Sequence, residues 1–302
     1  MPFHPVENFE VPAADGLAIR GDLYTPLDGS RSGLVILCHG FKGYRTWGFF
    51  PYLAACLADA GIAALAIDFS LGGDFGGDLG SGLGEDPGVD HGGAKRADLF
   101  RRNTISRERA DLDAVLRPVV EGRLGSLIGA RIPVGLFGHS RGGVVATLAA
   151  CENDAIGALC TWSCPAHPDR FTAAQKEKWR RQGELDFTDS RSGAPLVLST
   201  DYLDDLESHH AEYDLVRRVA ALRVPHLIVH GEADLAVHVN DARALHDAEK
   251  ELRDKRLLLL RTGHTFGVDD GPAMDPDSPP RALSEACLAT VRWFARCFQK
   301  GH

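Results

Sequence analysis

Three residues in this chain have the types and the local settings that nucleophilic acyl chemistry requires. Ser140 stands within Gly138-His139-Ser140-Arg141-Gly142-Gly143, between the apolar run Ile132–Phe137 and the helix-like run Gly142–Glu152. A serine on a tight strand-to-helix turn needs small neighbours two residues to either side, because the turn is strained and the helix must pack closely on the strand. Gly138 and Gly142 supply them. Such a turn pushes the hydroxyl out at the carboxyl edge of a sheet, and the start of the helix adds backbone N–H groups and a positive dipole end where an oxyanion would form. A hydroxyl is a weak nucleophile unless a base removes its proton, and the base needs a third group to hold its tautomer. Asp234 ends the apolar run Val224–Asp234, and His264 ends Lys255–His264. In this architecture the nucleophile, acid and base follow one another in that chain order.

A second backbone donor for an oxyanion is expected from the loop after an earlier strand, where the chain reads Cys38-His39-Gly40-Phe41-Lys42-Gly43. The main-chain N–H groups of Phe41 and Arg141 are the candidates, and their side chains are not what the chemistry needs. The acid has rivals: a carboxylate near Asp169 after the preceding strand, or Asp269 or Asp270, could take the place of Asp234. Ser140 could otherwise be an ordinary helix N-cap, and His264 a surface-loop histidine. His39 and His139 lie within the two turns, where bonding to loop backbone is their expected work.

Positioning these groups calls for alternating strands and helices. Asn8–Pro26 holds two strand-like runs joined at Asp15-Gly16, a hairpin signal. Further strands are expected at Leu34–Gly40, Ile62–Ser70, Ile132–Ser140, Ile156–Cys164, Val224–Asp234 and Lys255–His264, with amphipathic helices between them and a last helix from about Pro280 to Lys300. These runs are apolar almost throughout, without in–out alternation, so both faces are buried and the sheet is mostly parallel. The expected fold is α/β and doubly wound, with an N-terminal antiparallel hairpin. Two segments break the rhythm. Gly72–Gly93 holds ten glycines and little that could pack, and is expected to be a mobile loop. Pro165 to about Arg223 is polar and helix-prone, and reads as a lid inserted into a single domain spanning residues 1–302.

Composition narrows the classes further. With 33 Lys and Arg against 42 Asp and Glu the formal net charge is −9, and no basic run offers a footprint for nucleic acid. Met1–Glu10 has no basic and apolar signal pattern and no run of 18 apolar residues occurs, so a cytoplasmic chain without membrane contact is expected. The seven cysteines are odd in number, lack C-x-x-C spacing and mostly lie in apolar runs, as buried thiols in a reducing compartment do. His226 and His230 share a strand face but have no third ligand nearby, and no metal is expected. Gly80-Ser81-Gly82-Leu83-Gly84 lacks dinucleotide-loop spacing and opens no helix, while His91-Gly92-Gly93 follows the wrong strand to build an oxyanion loop. No cofactor is expected.

Taken together, His39-Gly40-Phe41, Gly138–Gly143, His230–Asp234 and Gly263-His264-Thr265-Phe266-Gly267 make the chain resemble the α/β-hydrolase superfamily over roughly residues 17–300. The flavour is similar to the dienelactone-hydrolase-like, cinnamoyl-esterase and prolyl-oligopeptidase-type branch. The resemblance implies Ser140 as nucleophile, His264 as general base and acid, Asp234 as its orienting carboxylate, and Phe41 with Arg141 as oxyanion donors. It implies a serine hydrolase acting without a cofactor on a small-molecule ester, thioester or small amide. An acyltransferase using the same acyl-enzyme, or a ligand-binding protein on the same scaffold, are the alternatives. The long glycine-rich stretch and the insertion at 165–223 depart from the compact family pattern, and both bear on substrate.

Overall fold

A computed structural model describes residue 4 and residues 6–29, 31–72, 98–127, 132–188, 195–268 and 274–299. Most of the glycine-rich stretch, the two glycine motifs within it, and Asp269 and Asp270 lie outside the described residues.

The chain opens with β1 (Val6–Pro12) and β2 (Ala18–Tyr24), paired antiparallel around a turn in which Gly16 takes φ +80°. There follow β3 (Leu34–Cys38), α1 (Phe50–Asp59), β4 (Ala63–Asp68), α2 (Ile105–Val120), β5 (Val134–His139), α3 (Arg141–Glu152) and β6 (Ile156–Trp162). Next come α4 (Ala173–Gln182), β7 (Glu184–Thr188), β8 (Pro195–Ser199), α5 (Asp201–Ser208) and α6 (Leu215–Val219). The chain then returns to the sheet with β9 (His226–Gly231), α7 (Val239–Ala248), β10 (Lys255–Leu260) and α8 (Arg281–Gln299).

The main sheet has eight strands in the order β1-β2-β4-β3-β5-β6-β9-β10. From β4 to β10 every pairing is parallel, and only the β1 and β2 ladders are antiparallel. β3, β5 and β9 are buried at every residue, which is why their sequences are apolar without alternation. Side chains on one face pack with α2, α3 and α7, and those on the other with α1 and α8. Glycine helps α8 to approach: a Cβ on Gly135 of β5 would lie 2.5 Å from the Phe294 ring, and one on Gly33 would lie 2.2 Å from Phe298.

Topology then determines where loops gather. The chain passes from β3 outward to β4 and returns across β3 to β5, so its direction of winding reverses between β3 and β5. Loops leaving the carboxyl ends of strands diverge at such a reversal and open a crevice. Phe41 follows β3 and Ser140 follows β5; Asp234 and His264 follow β9 and β10 at the same edge.

The stretch between β6 and β9 contains helices as expected, and also the antiparallel pair β7–β8, which sequence reading did not anticipate. Five-residue strands with one flank set against the protein leave too short a period to separate from the polar helices beside them. Asp205 of α5 ties this stretch to the main body, accepting from the amides of Ile105 and Ser106 at the start of α2 at 3.0 and 3.2 Å, and from the Tyr213 hydroxyl at 3.0 Å. Among the described residues no helix is long and apolar enough to cross a membrane.

Phe294 is fully buried over Gly135. Phe294→Ala is expected to destabilise the fold by about 3–5 kcal/mol, seen as a lower denaturant midpoint at an unchanged m-value.

Candidate active site

The turn from β5 to α3 is built from main chain meeting main chain. Ser140 takes φ +54°, ψ −122°, a conformation that residues other than glycine rarely hold. Its own amide is secured to the Trp162 carbonyl at 2.8 Å, and its carbonyl accepts from Gly143 N–H at 2.9 Å. A Cβ on Gly138 would lie 2.3 Å from the Gly142 carbonyl oxygen, and one on Gly142 would lie 2.3 and 2.4 Å from the carbonyl oxygens of His39 and Cys38. The glycines flanking the serine therefore allow a close approach of three backbones. Ser140 itself is partly exposed.

The structure brings Asp234 and His264 into direct contact. His264 Nδ1–H donates to Asp234 Oδ2 at 2.8 Å, which leaves Nε2 as the basic nitrogen. The carboxylate of Asp234 is fully buried, whereas the imidazole is 21% exposed. The other carboxylate oxygen accepts from the amides of Ala236 and Val237, each at 2.8 Å. Burial is the largest influence on this carboxyl and pushes its pKa up, but the bonds from His264 and Val237 together outweigh it and hold the group down at about 2. Of the rival acids, Asp169 pairs with Lys176 at the start of α4 instead.

The residue before Ser140 reaches His264 through its side chain. His139 Nε2–H donates to the His264 carbonyl at 3.0 Å, and the two rings lie 4.8 Å apart. Burial, and secondarily the charge of a protonated His264, push the pKa of His139 down to about 3, so that it stays neutral and keeps this donor role. Among the described residues no hydrogen bond joins the Ser140 hydroxyl to His264 Nε2. Phe41 and Arg141 flank the serine from β3 and from α3, and among the described residues neither amide donates to a protein acceptor.

The other three histidines singled out in the sequence have partners. His39 Nδ1–H donates to the Gly40 carbonyl at 2.9 Å, and its Nε2 accepts from the Phe69 amide at 3.3 Å. His226 is bonded to Glu249 and to Thr161, and His230 Nε2–H donates to the Val237 carbonyl at 2.9 Å. Among the described residues no three His, Cys, Asp or Glu side chains gather as a metal-holding group.

Several neighbours were not singled out in the sequence. Arg45 braces the Phe41 loop through its amide to Asp68 at 2.5 Å and its guanidinium to Asp22 at 3.0 Å. Phe187 of β7 packs against Phe41 with ring centroids 5.0 Å apart. Glu108 of α2 forms a buried ion pair with Arg141. A signal for Glu108 exists: it falls between Ile105 and Leu112 on the apolar stripe of α2, where a carboxylate needs a buried partner.

A family model described as the alpha/beta hydrolase family matches residues 35–285. No curated protein matches the chain in sequence. Est1E from Butyrivibrio proteoclasticus is similar in structure at TM-score 0.64 and 18% identity, over 97% of this chain and 99% of that one. The esterase domain of a Rhodothermus marinus protein is similar at TM-score 0.62 and 19% identity, over 97% and 98%. Dienelactone hydrolase from Anabaena variabilis is similar at TM-score 0.58 and 18% identity, over 97% and 98%. At these identities the likeness is one of fold.

Two outcomes are expected of this geometry. Gly142→Ala sets a methyl against two carbonyl oxygens that cannot withdraw, and should lower the unfolding free energy by about 3 kcal/mol or more in urea titrations. Asp234, with its pKa held at about 2 in the folded chain against an ordinary 3.8, stabilises the fold fully above about pH 4 and loses that contribution as pH falls through 2. Asp234→Asn should therefore flatten the stability profile over that interval by about 2 kcal/mol, measured as unfolding free energy against pH.

Proposed function

Because the chain belongs to the alpha/beta hydrolase family, we propose that it is a serine hydrolase that cleaves a small-molecule ester, thioester or small amide through an acyl-enzyme on Ser140. The observation that carries this reading is the Asp234–His264 hydrogen bond at 2.8 Å, set beside a serine held at φ +54° on a strand-to-helix turn. Asp234 fixes the Nδ1–H tautomer, so His264 Nε2 is the lone pair available to the hydroxyl. The unmade bond between Ser140 and Nε2 forms as the acyl group seats, since such contacts commonly tighten only in the complex.

In the reaction Nε2 takes the Ser140 proton while Oγ adds to the carbonyl carbon. The tetrahedral oxyanion accepts from the amides of Phe41 and Arg141, which have no competing protein acceptor among the described residues. The imidazolium, steadied by the Asp234 carboxylate, then protonates the leaving oxygen, nitrogen or sulfur. A water activated by the same nitrogen cleaves the acyl-enzyme, and no step calls for a cofactor.

Esters are the favoured class, in keeping with structural neighbours that are themselves an esterase domain, Est1E and a dienelactone hydrolase. The stretch between β6 and β9 is in this reading the cap. Supporting it, Phe187 touches Phe41 and the Lys42 ammonium donates to the Thr188 carbonyl at 3.1 Å, so β7 lies against the Phe41 loop.

A fluorophosphonate should add one equivalent to Ser140 of the wild type and none to Ser140→Ala, read by intact mass. On p-nitrophenyl esters of rising acyl length, Ser140→Ala and His264→Ala should lose about 10⁴-fold or more in kcat, with Asp234→Asn near 10⁴-fold. Folded wild-type protein that takes no adduct would remove the reading.

A further inference from the structure

The proposed reaction uses only the amide of Arg141, yet its guanidinium is placed at considerable cost. Arg141 is 6% and Glu108 1% exposed, and the two charges are joined through Nη2 and Oε1. Asn103 Nδ2 donates to the same Oε1 at 2.9 Å, while Glu108 Oε2 has no hydrogen-bond partner among the described residues. A buried pair left incompletely bonded is a poor stabiliser, and apolar side chains of equal volume often do as well or better. Burial, the largest influence on Arg141, opposes its charge, but Glu108 and Tyr202 outweigh it and the guanidinium stays protonated.

That guanidinium touches the other oxyanion residue. Its central carbon lies 4.6 Å from the centroid of the Phe41 ring and 5.8 Å from that of Tyr202. The Phe41 ring also meets Phe100 at 5.4 Å and Phe187 at 5.0 Å, so the arginine closes one side of an aromatic nest. A cation against a ring face in a dry setting is a directional contact. The side chain of one amide donor is therefore a support for the side chain of the other.

We propose that Glu108 is a positioning residue: by anchoring the Arg141 guanidinium against the Phe41 ring, it sets the spacing of the two backbone amides that receive the oxyanion. This rests on the acyl-enzyme reading given above. Without the carboxylate, an uncompensated guanidinium turns away from the aromatic nest, the Phe41 ring loses its support, and the two amides no longer converge on one point. The loss falls on the transition state more than on ground-state binding.

The test compares wild type, Glu108→Gln and the double variant Glu108→Leu/Arg141→Met. Readouts are turnover of p-nitrophenyl acetate, fluorophosphonate labelling of Ser140, inhibition by an aryl trifluoromethyl ketone, which binds as a tetrahedral oxyanion, and the thermal unfolding midpoint. Glu108→Gln is expected to lower kcat by about 10- to 100-fold with KM within about twofold, and to weaken the ketone by the same factor as kcat. The double variant should recover the wild-type midpoint without recovering kcat or ketone affinity, and it serves alone if Glu108→Gln does not fold. Wild-type kcat and ketone affinity in Glu108→Gln, or kcat rising in step with the midpoint in the double variant, would overturn the proposal alone. A wild type that neither turns over nor labels would overturn the acyl-enzyme reading and this inference with it.

Discussion

The site depends on a contact between backbones. At Gly142 the start of α3 comes so close to the carbonyls of Cys38 and His39 that a single methyl would collide with both. That approach lets α3 begin directly over the sheet, and it obliges Ser140 to take a left-handed backbone at the head of the helix. The strain at Ser140 persists because its surroundings over-determine it, from the Trp162 carbonyl on one side to Gly143 on the other. The same crowding sets β3 and β5 side by side where the winding of the sheet reverses, which puts the Phe41 loop next to the serine.

Electrostatics completes what the backbone begins. Asp234 is buried yet ionised, because its two oxygens are shared among an imidazole and two amides. A carboxylate held in that way fixes the ring of His264 without competing for its outer nitrogen. His139 is buried and neutral, and it secures the other end of the same histidine by its main chain. One residue, His264, is thus held at its ring by Asp234 and at its backbone by His139.

Much of this was legible in the chain because it rests on local necessity. Glycines at ±2 of a serine, apolar runs lacking alternation, and acidic and basic residues closing successive strands are all written along short stretches. The parallel sheet and its antiparallel hairpin follow from such patterns, and both stand in the structure. What escaped depends on partners distant in sequence. β7 and β8 gain their identity from pairing with each other and from Phe187 reaching Phe41, which no short window contains. The apolar stripe of α2 marks Glu108 as needing a buried partner, but that the partner is Arg141 emerges only once α2 is docked. Asp234 is readable from the sequence with Asp169 as a rival, and the fold adds that Asp234 contacts the imidazole while Asp169 contacts Lys176.

The carboxylate of Asp205 gives the inserted stretch a fulcrum. It sits 7% exposed against two free amides at the head of α2, where the helix dipole favours a negative charge. Swinging α5 outward would strip a desolvated anion of both α2 amides at once, leaving it the Tyr213 hydroxyl, which belongs to the same stretch. The end of β7 meets the Phe41 loop through the Phe187–Phe41 ring contact and the exposed Lys42 bond to Thr188. The stretch is accordingly harder to lift at Asp205, where a buried carboxylate would lose backbone donors, than at β7, whose contacts are partly exposed.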